Sequence, residues 1–206
     1  MPAKIKFTKG ELKRQRDALK QFQRYLPTLQ LKKQQLQLEI LQQNLFLNDA
    51  KQTLTKKRQA AIAWAGLLAE ASLEINSFLK TEKIITHQKN IAGVDIPVFD
   101  ALEFSENGYD LFLASLWLDA AVLSLREMIV LNKKILLLQE GVNILRQDLR
   151  LTSQRVNLFE KVKIPLAEEN IRLIKIYIGD QMANAVGRSK IAKRKIEQMV
   201  LDEALV

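Results

Sequence analysis

LQLEILQQNLFLNDAKQTL, residues 36–54, repeats with a period of seven. Leu36, Gln43 and Ala50 fall on one series, and Ile40, Leu47 and Leu54 on a second. Worked outward, the second series takes in Leu12, Leu19, Leu26, Ile40, Leu47, Leu54, Ala61, Leu68 and Ile75, broken only by Lys33. The first collects Phe22, Leu29, Leu36, Ala50, Trp64, Ala71 and Phe78, with Gln15, Gln43 and Lys57 as its polar members. A seven-residue apolar repeat held over so many turns makes a left-handed coiled coil, because a straight helix drifts off the seam. A matching stripe follows downstream: Ala121, Met128, Ile135, Val142, Leu149 and Val156, flanked by Trp117, Leu131, Leu138, Leu145, Phe159, Leu166 and Leu173. The simplest object is one chain folded back on itself. The expected fold is all-α, a long antiparallel two-helix coiled-coil hairpin with a short β-hairpin or structured loop at its middle.

Thr8 is a good N-cap for the first helix, and Glu11 can complete a capping box. From there to about Lys80 only Pro27 and Gly66 interrupt helical chemistry. Between about Thr81 and Asp110 the period is lost. Ile84, Ile85, Ile91, Val94, Ile96, Val98 and Phe99 cluster there, with turn chemistry at Asn90, Gly93 and Asn107-Gly108. The second helix runs from about Asp110 toward Met199, with Pro165 inside it and Gly141, Gly179 and Gly187 as tolerable interruptions. The expected division is 1–80, 81–110 and 111–206. If the helices meet near residues 80 and 111, paired numbers sum to about 191. That places Pro27 opposite Pro165, so that both helices bend at one level, and it leaves roughly the last twenty residues without an antiparallel partner.

The net charge is +9. Residues 1–80 carry fifteen basic and six acidic side chains, 81–120 two and seven, and 121–206 fifteen and ten. A basic chain with an acidic middle suits nucleic acid, an anionic membrane surface or an acidic protein partner. There is no cysteine, which excludes disulfides, thiolate metal sites and cysteine nucleophiles. His87 is the only histidine, so no histidine metal cluster or catalytic triad can be assembled, and it reads as an exposed loop residue. No phosphate-cradling loop is present, and the carboxylates form no recognisable pair on a rigid scaffold. No catalytic, cofactor or metal site is expected. Met1 to Gly10 lacks the apolar core of a secretory signal, and no apolar run reaches the length of a membrane span, so a soluble chain is expected.

The strongest basic cluster is Arg188, Lys190, Lys193, Arg194 and Lys195, with Lys56, Lys57 and Arg58 a second. Both read first as solvated helix faces, then as sites for acidic protein, and last for nucleic acid, since no aromatics are interleaved to stack bases. Lys33, Gln43 and Lys57 on the seam read as snorkelling side chains or as residues that fix register. Trp64 and Trp117 read as large seam residues.

One segment is more specific than heptads. Arg155-Val156-Asn157-Leu158-Phe159-Glu160-Lys161-Val162-Lys163-Ile164-Pro165 resembles the "RVNALE…IP" segment of the D subunit of the V-type and archaeal-type ATPases. Thr8-Lys9-Gly10-Glu11-Leu12 resembles that family's "PTKxxL" element, with Phe7 in place of proline. Leu31-Lys32-Lys33-Gln34-Gln35-Leu36 is similar to its "LLKxKRxxL" stretch, and Gly93-Val94-Asp95-Ile96-Pro97 to its "GvxlP" region. Met182 to Gly187 depart from the acidic, arginine-containing run usual near the C-terminus, and Pro27 is unusual.

The resemblance implies a non-catalytic rotor shaft at the centre of a rotary ATPase, cytoplasmic and reaching the membrane only through partners. It implies that both chain ends enter a collar of alternating A and B subunits, that the F subunit binds along the shaft, and that the hairpin end docks on the funnel-shaped C or d subunit of the membrane sector. Thr8, Lys9, Leu12, Arg188, Lys190, Lys193, Arg194 and Lys195 are the residues expected at the collar. Arg155, Asn157, Glu160, Ile164 and Pro165 mark the family-like segment. Nucleotide chemistry belongs to the A and B subunits, so no direct nucleotide or nucleic-acid ligand is expected. The competing readings from charge alone are a nucleic-acid-binding coiled coil and a scaffold coiled coil.

Overall fold

A computed structural model describes residues 5–66, 78–105 and 117–204. Its elements are helix α1 (Lys9–Ile62), strands β1 (Thr81–Ile91) and β2 (Val94–Phe104), helix α2 (Leu118–Leu158), a π-helical turn (Phe159–Lys163) and helix α3 (Ile164–Ala204). They form two compact units, Leu31–Ser153 and Met1–Gln30 with Gln154–Val206. The expected turn at Asn107-Gly108 and the heptad positions Leu68, Ala71 and Ile75 lie outside the described residues.

In Leu31–Ser153, α1 and α2 run antiparallel. The heptad residues face inward: Leu36, Ile40, Gln43, Leu47, Ala50 and Leu54 are buried on α1, and Ala121, Ile135, Val142, Leu145 and Thr152 on α2. Lys57, expected on the seam, is half-buried and pairs with Glu127. Lys32 Nζ meets Asp148 Oδ2 at 3.0 Å. These pairs sum to 184 and 180, so the register differs from the expected 191. The reason lies in where the helices stop. Helix α1 ends at Ile62, well before Lys80, and α2 begins at Leu118, after Asp110. The Trp64 N–H closes a turn onto the Ala61 carbonyl at 3.2 Å.

The middle segment resolves as a β-hairpin. Its two-residue turn is Ala92-Gly93, both with positive φ (51° and 78°), the requirement of a type I′ turn. Glycine meets it freely; Ala92 sits there under strain. Asn90 Oδ1 accepts from the Gly93 N–H at 3.1 Å, and Asn90 Nδ2 donates to Asp95 Oδ1 at 2.6 Å. Ile91 faces Val94, Lys89 faces Ile96, and His87 faces Val98. Counting from the turn, these are the hydrogen-bonded pairs, which puts Pro97 opposite Gln88 at a position needing no ladder N–H. Asp100 is the extra residue of a bulge between Ile85 and Thr86, and the bulge aims its carboxylate at His87 Nδ1, 2.7 Å away. The histidine is exposed, as expected, but it lies in strand β1 and not in a loop.

The hairpin lies along the helices, with its turn end packed on them. Ile96 is buried with Leu36, Ile40 and Leu145, and Ile91, Val94 and Val98 pack around them. At its base Arg126 donates to the Phe78 carbonyl from Nε at 3.1 Å and Nη2 at 2.9 Å, while its guanidinium lies 5.0 Å from the centre of the Phe104 ring. One side chain thus clasps both ends of the hairpin. Phe78, Leu118 and Val122 form a small core beside it with Trp117. Gly141 is buried facing Ile96, and an added Cβ would meet Ile96 Cβ at 3.8 Å, ordinary van der Waals contact. Gly141→Ala is therefore expected to raise stability by about 0.5–1 kcal/mol through helix propensity, measured by chemical denaturation. A destabilised variant would show that the hairpin sits closer to α2 than described.

In the second unit the start of α1 pairs antiparallel with α3. The Glu11 N–H donates to Thr8 Oγ1 at 3.2 Å, which confirms the N-cap. The Glu11 carboxylate accepts from Gln15 Nε2 at 2.9 Å instead, so half of the capping box forms. Gln15 and buried Asn170 face one another at 3.5 Å, Phe22 and Phe159 at 5.4 Å between ring centres, and Phe7 and Tyr177 at 5.1 Å.

The downstream stripe departs from expectation after Phe159. Leu166 is 49% exposed, while Ala167, Asn170, Ile171 and Ile174 are buried. The π turn is the cause: the Ile164 N–H bonds the Phe159 carbonyl, one residue further back than in an α-helix. That inserts one residue and rotates the downstream face, so the seam passes from Phe159 to Ala167 rather than Leu166. Pro165 supplies the chemical reason, because it cannot donate to Lys161 and its ring crowds the preceding turn. Pro27 likewise deprives Gln23 of a partner. In the observed register Pro27 does not face Pro165, contrary to expectation. The two deprived carbonyls, Gln23 and Lys161, are what share a level.

Candidate functional site

The eight residues expected at the collar do not form one cluster. Thr8 caps α1, Lys9 opens it, and Leu12 is half-buried on its seam. Tyr177 marks the level of the α1 N-terminus on α3. Arg188 begins ~16 Å further along, at ~1.5 Å per residue. From Gly179 to Val200 every residue of α3 is exposed. That stretch carries Arg188, Lys190, Lys193, Arg194 and Lys195 together with exposed Met182, Val186, Ile191, Ile196 and Met199. Lys193 has a loose i,i+4 contact with Glu197 at 3.7 Å. An amphipathic helix with neither face covered is a binding element, not a core element.

The family-like segment brackets the π turn. Arg155, Asn157, Glu160 and Pro165 are exposed and Ile164 is half-buried. Its sequence specificity thus has a backbone correlate: a widened turn just ahead of a helix-interior proline. The adjoining turn of α3 holds a bidentate pair, Arg172 Nη2 to Glu169 Oε1 at 2.7 Å and Nε to Oε2 at 2.9 Å. Hydrogen bonding from Arg172 lowers the Glu169 pKa below the usual carboxylate range, and Glu169 in turn raises that of Arg172.

A further surface escaped the sequence analysis. Leu31, Leu38 and Leu45 recur seven apart on α1, with Leu41 between them, and all four are exposed; Leu38 is 68% exposed. A shallow groove of about 650 Å³ runs beside them, lined by Gln34, Gln37, Leu38, Ile40, Leu41 and Leu149. This is a second heptad stripe, exposed beside the seam with α2. The signal was legible as a third seven-residue series in the first helix.

Among the described residues no group of three or more His, Cys, Asp or Glu side chains is placed to hold a metal ion. No helix among them is long and apolar enough to cross a membrane. The cavities lie along helix seams and beside the hairpin, lined mainly by aliphatic and long polar side chains.

Comparison with known proteins gives the family of a chain with these uncovered helix faces. The family model for the D subunit of ATP synthase matches residues 11–194. The V-type ATP synthase D subunit of Borreliella burgdorferi is 41% identical over 194 residues, 94% of this chain and 96% of that protein. The D subunits of the V-type ATP synthases of Chlamydia abortus and Chlamydia felis are 33% and 34% identical over 201 residues, 96% of this chain and of the relative in each case. The match spans both compact units, the hairpin and most of the exposed helix, and the chain belongs to the D-subunit family of the V-type ATP synthases, as a central-stalk component of that rotary ATPase.

Proposed function

We propose that this chain is the non-catalytic rotor shaft of its ATPase, carrying torque between a head of alternating A and B subunits and the ion-translocating ring. The observation that carries this reading is the stretch from Gly179 to Val200, helical throughout and covered by nothing among the described residues. In the collar its apolar residues and its cations would meet the surrounding subunits. Thr8, Lys9 and Leu12 would lie below it, at the collar's lower rim.

A helix turning inside a threefold collar touches three interfaces unequally. It stabilises a different conformation in each, which is coupling by differential contact free energy. Rotation also requires that no single contact hold too strongly. Exposed lysine and arginine contacts, each worth about 0–1 kcal/mol, give a smooth track. ATP chemistry in this reading belongs to the A and B subunits. The chain works in the cytoplasm, peripheral to the membrane, with its far end on the funnel-shaped component of the membrane sector.

The exposed Leu31–Leu38–Leu45 seam suits one more helix, in the manner of a three-stranded coiled coil. The F subunit is its occupant in this proposal. Leu38→Glu with Leu41→Glu places two charges in that seam and leaves the inward-facing heptads intact. The purified complex is expected to keep the A and B subunits and to lose the F subunit by more than about tenfold. Full retention of the F subunit would show that the seam is not where it binds.

A further inference from the structure

The β-hairpin has one edge that nothing among the described residues covers. The sheet has two strands, so each strand has a single neighbour. Strand β2 packs on the helices through Ile96, Val94 and Val98, whereas β1 joins that core through Ile91, beside the turn. The outer edge of β2 is interrupted by Pro97, which has no N–H to offer, and by the bulge at Asp100. Strand β1 is different. From Lys83 to Ile91 it contains no proline and no inserted residue, and every residue from Thr81 to Asn90 is exposed. The pairs Ile91–Val94, Lys89–Ile96 and His87–Val98 form the ladder, so Thr86, Gln88 and Asn90 turn their N–H and C=O groups to the open side.

We infer that β1 is a docking edge for an extended, acidic segment of another component of the ATPase, added as a third strand. A row of alternating outward donors and acceptors is matched by extended backbone and by little else. Charge selects the sign. Strand β1 carries Lys83 and Lys89 against Glu82, whereas β2 carries Asp95, Asp100 and Glu103 with no cation. Neither Lys83 nor Lys89 has an ion-pair partner among the described residues. These lysines keep two identical β1 edges apart, so a second copy of the chain is the wrong occupant, while an acidic strand gains from both.

The kind of contact also says where the partner sits. Backbone bonds in fixed register cannot step from one collar component to the next as a shaft turns. The added strand therefore belongs to a component that rotates with this chain, not to the stationary collar. This inference rests on the stalk reading and adds a partner surface to it.

Hydrogen exchange tests it, comparing the isolated full-length chain with the chain inside the purified ATPase. The amides of Thr86, Gln88 and Asn90 are expected to slow by on the order of 100-fold in the complex. Gln88→Pro removes one outward donor while sparing the ladder pairs on either side, and is expected to abolish the slowing at Thr86 and Asn90. Gln88→Ala, which keeps the backbone donor, is expected to preserve it. Should the proline unfold the hairpin, seen as loss of protection at His87 and Lys89 in the isolated chain, Lys83→Glu with Lys89→Glu replaces it and is expected to reduce the slowing at least tenfold. Amides equally fast in both states would overturn the docking edge, as would slowing in the isolated chain that grows with its concentration. Absence of the chain from the purified ATPase would count against the stalk reading itself, a distinct result.

Discussion

Removal of residues 188–206 is expected to cut ATP-driven ion pumping at least tenfold while leaving the remaining chain folded. The stretch from Gly179 to Val200 buries no side chain within the protein, so its loss creates no cavity and strips no partner of a hydrogen bond. The Ser189 hydroxyl bonds only the Ala185 carbonyl of its own helix, at 3.0 Å. Helicity should fall only in proportion to the residues removed, and the denaturation midpoint should hold. What disappears is a binding element with both apolar and cationic faces. ATP turnover by the head should persist to a larger extent than pumping, because the chemistry lies elsewhere. Pumping at the full rate by the truncated chain would reassign the collar contact to another part of the protein.

Leu145→Ala is expected to have the largest effect on stability, a loss of roughly 2–5 kcal/mol. Leu145 is fully buried and joins three elements, meeting Leu36 and Ile40 of α1 and Ile96 of the hairpin. The cavity can close only if the hairpin or α1 shifts, and both are held at other points, by Arg126 and by the Ala50–Leu54–Ile135 core. Unfolding in denaturant should show the loss, together with faster exchange of the hairpin amides. By contrast Leu123→Ala, at a leucine 64% exposed, should change stability by less than about 0.5 kcal/mol. Equal effects at the two leucines would mean that the helix faces are assigned wrongly.

The inward faces of both helices were legible in the sequence because the heptad is a direct record of what a helix buries. Even Gln43 and Gln15, polar members of the series, sit on the seam: Gln43 is buried and Gln15 meets Asn170. Register was not legible. It depends on where each helix stops, and Ile62 and Leu118 carry no strong stop signal. The π turn escaped for a related reason. Pro165 announced a disturbance, but a helix can answer a proline by kinking, by breaking or by widening, and only the shift of the buried face from Leu166 to Ala167 tells which. The β-hairpin was half legible: Asn90 and Gly93 gave its turn, while the face it lays on the helices depends on Leu145 and Gly141, far away in sequence.

The candidate site was legible in its charge and not in its arrangement. Arg188 to Lys195 stood out as a cluster, yet its distance from Thr8 and Lys9 follows only from the observed pairing of Phe7 with Tyr177. Charge also suggested nucleic acid or a generic scaffold, because +9 has no address of its own. Family membership supports neither alternative.

The most direct measurement is rotation itself. The chain has no native cysteine, so Asn132→Cys, at an exposed position of α2, gives a unique attachment point for a bead on the assembled, surface-fixed ATPase head. A rotor shaft is expected to turn the bead in one direction when ATP is added, and to stop when ATP is withdrawn. A bead that stays still while the same heads hydrolyse ATP would contradict that role.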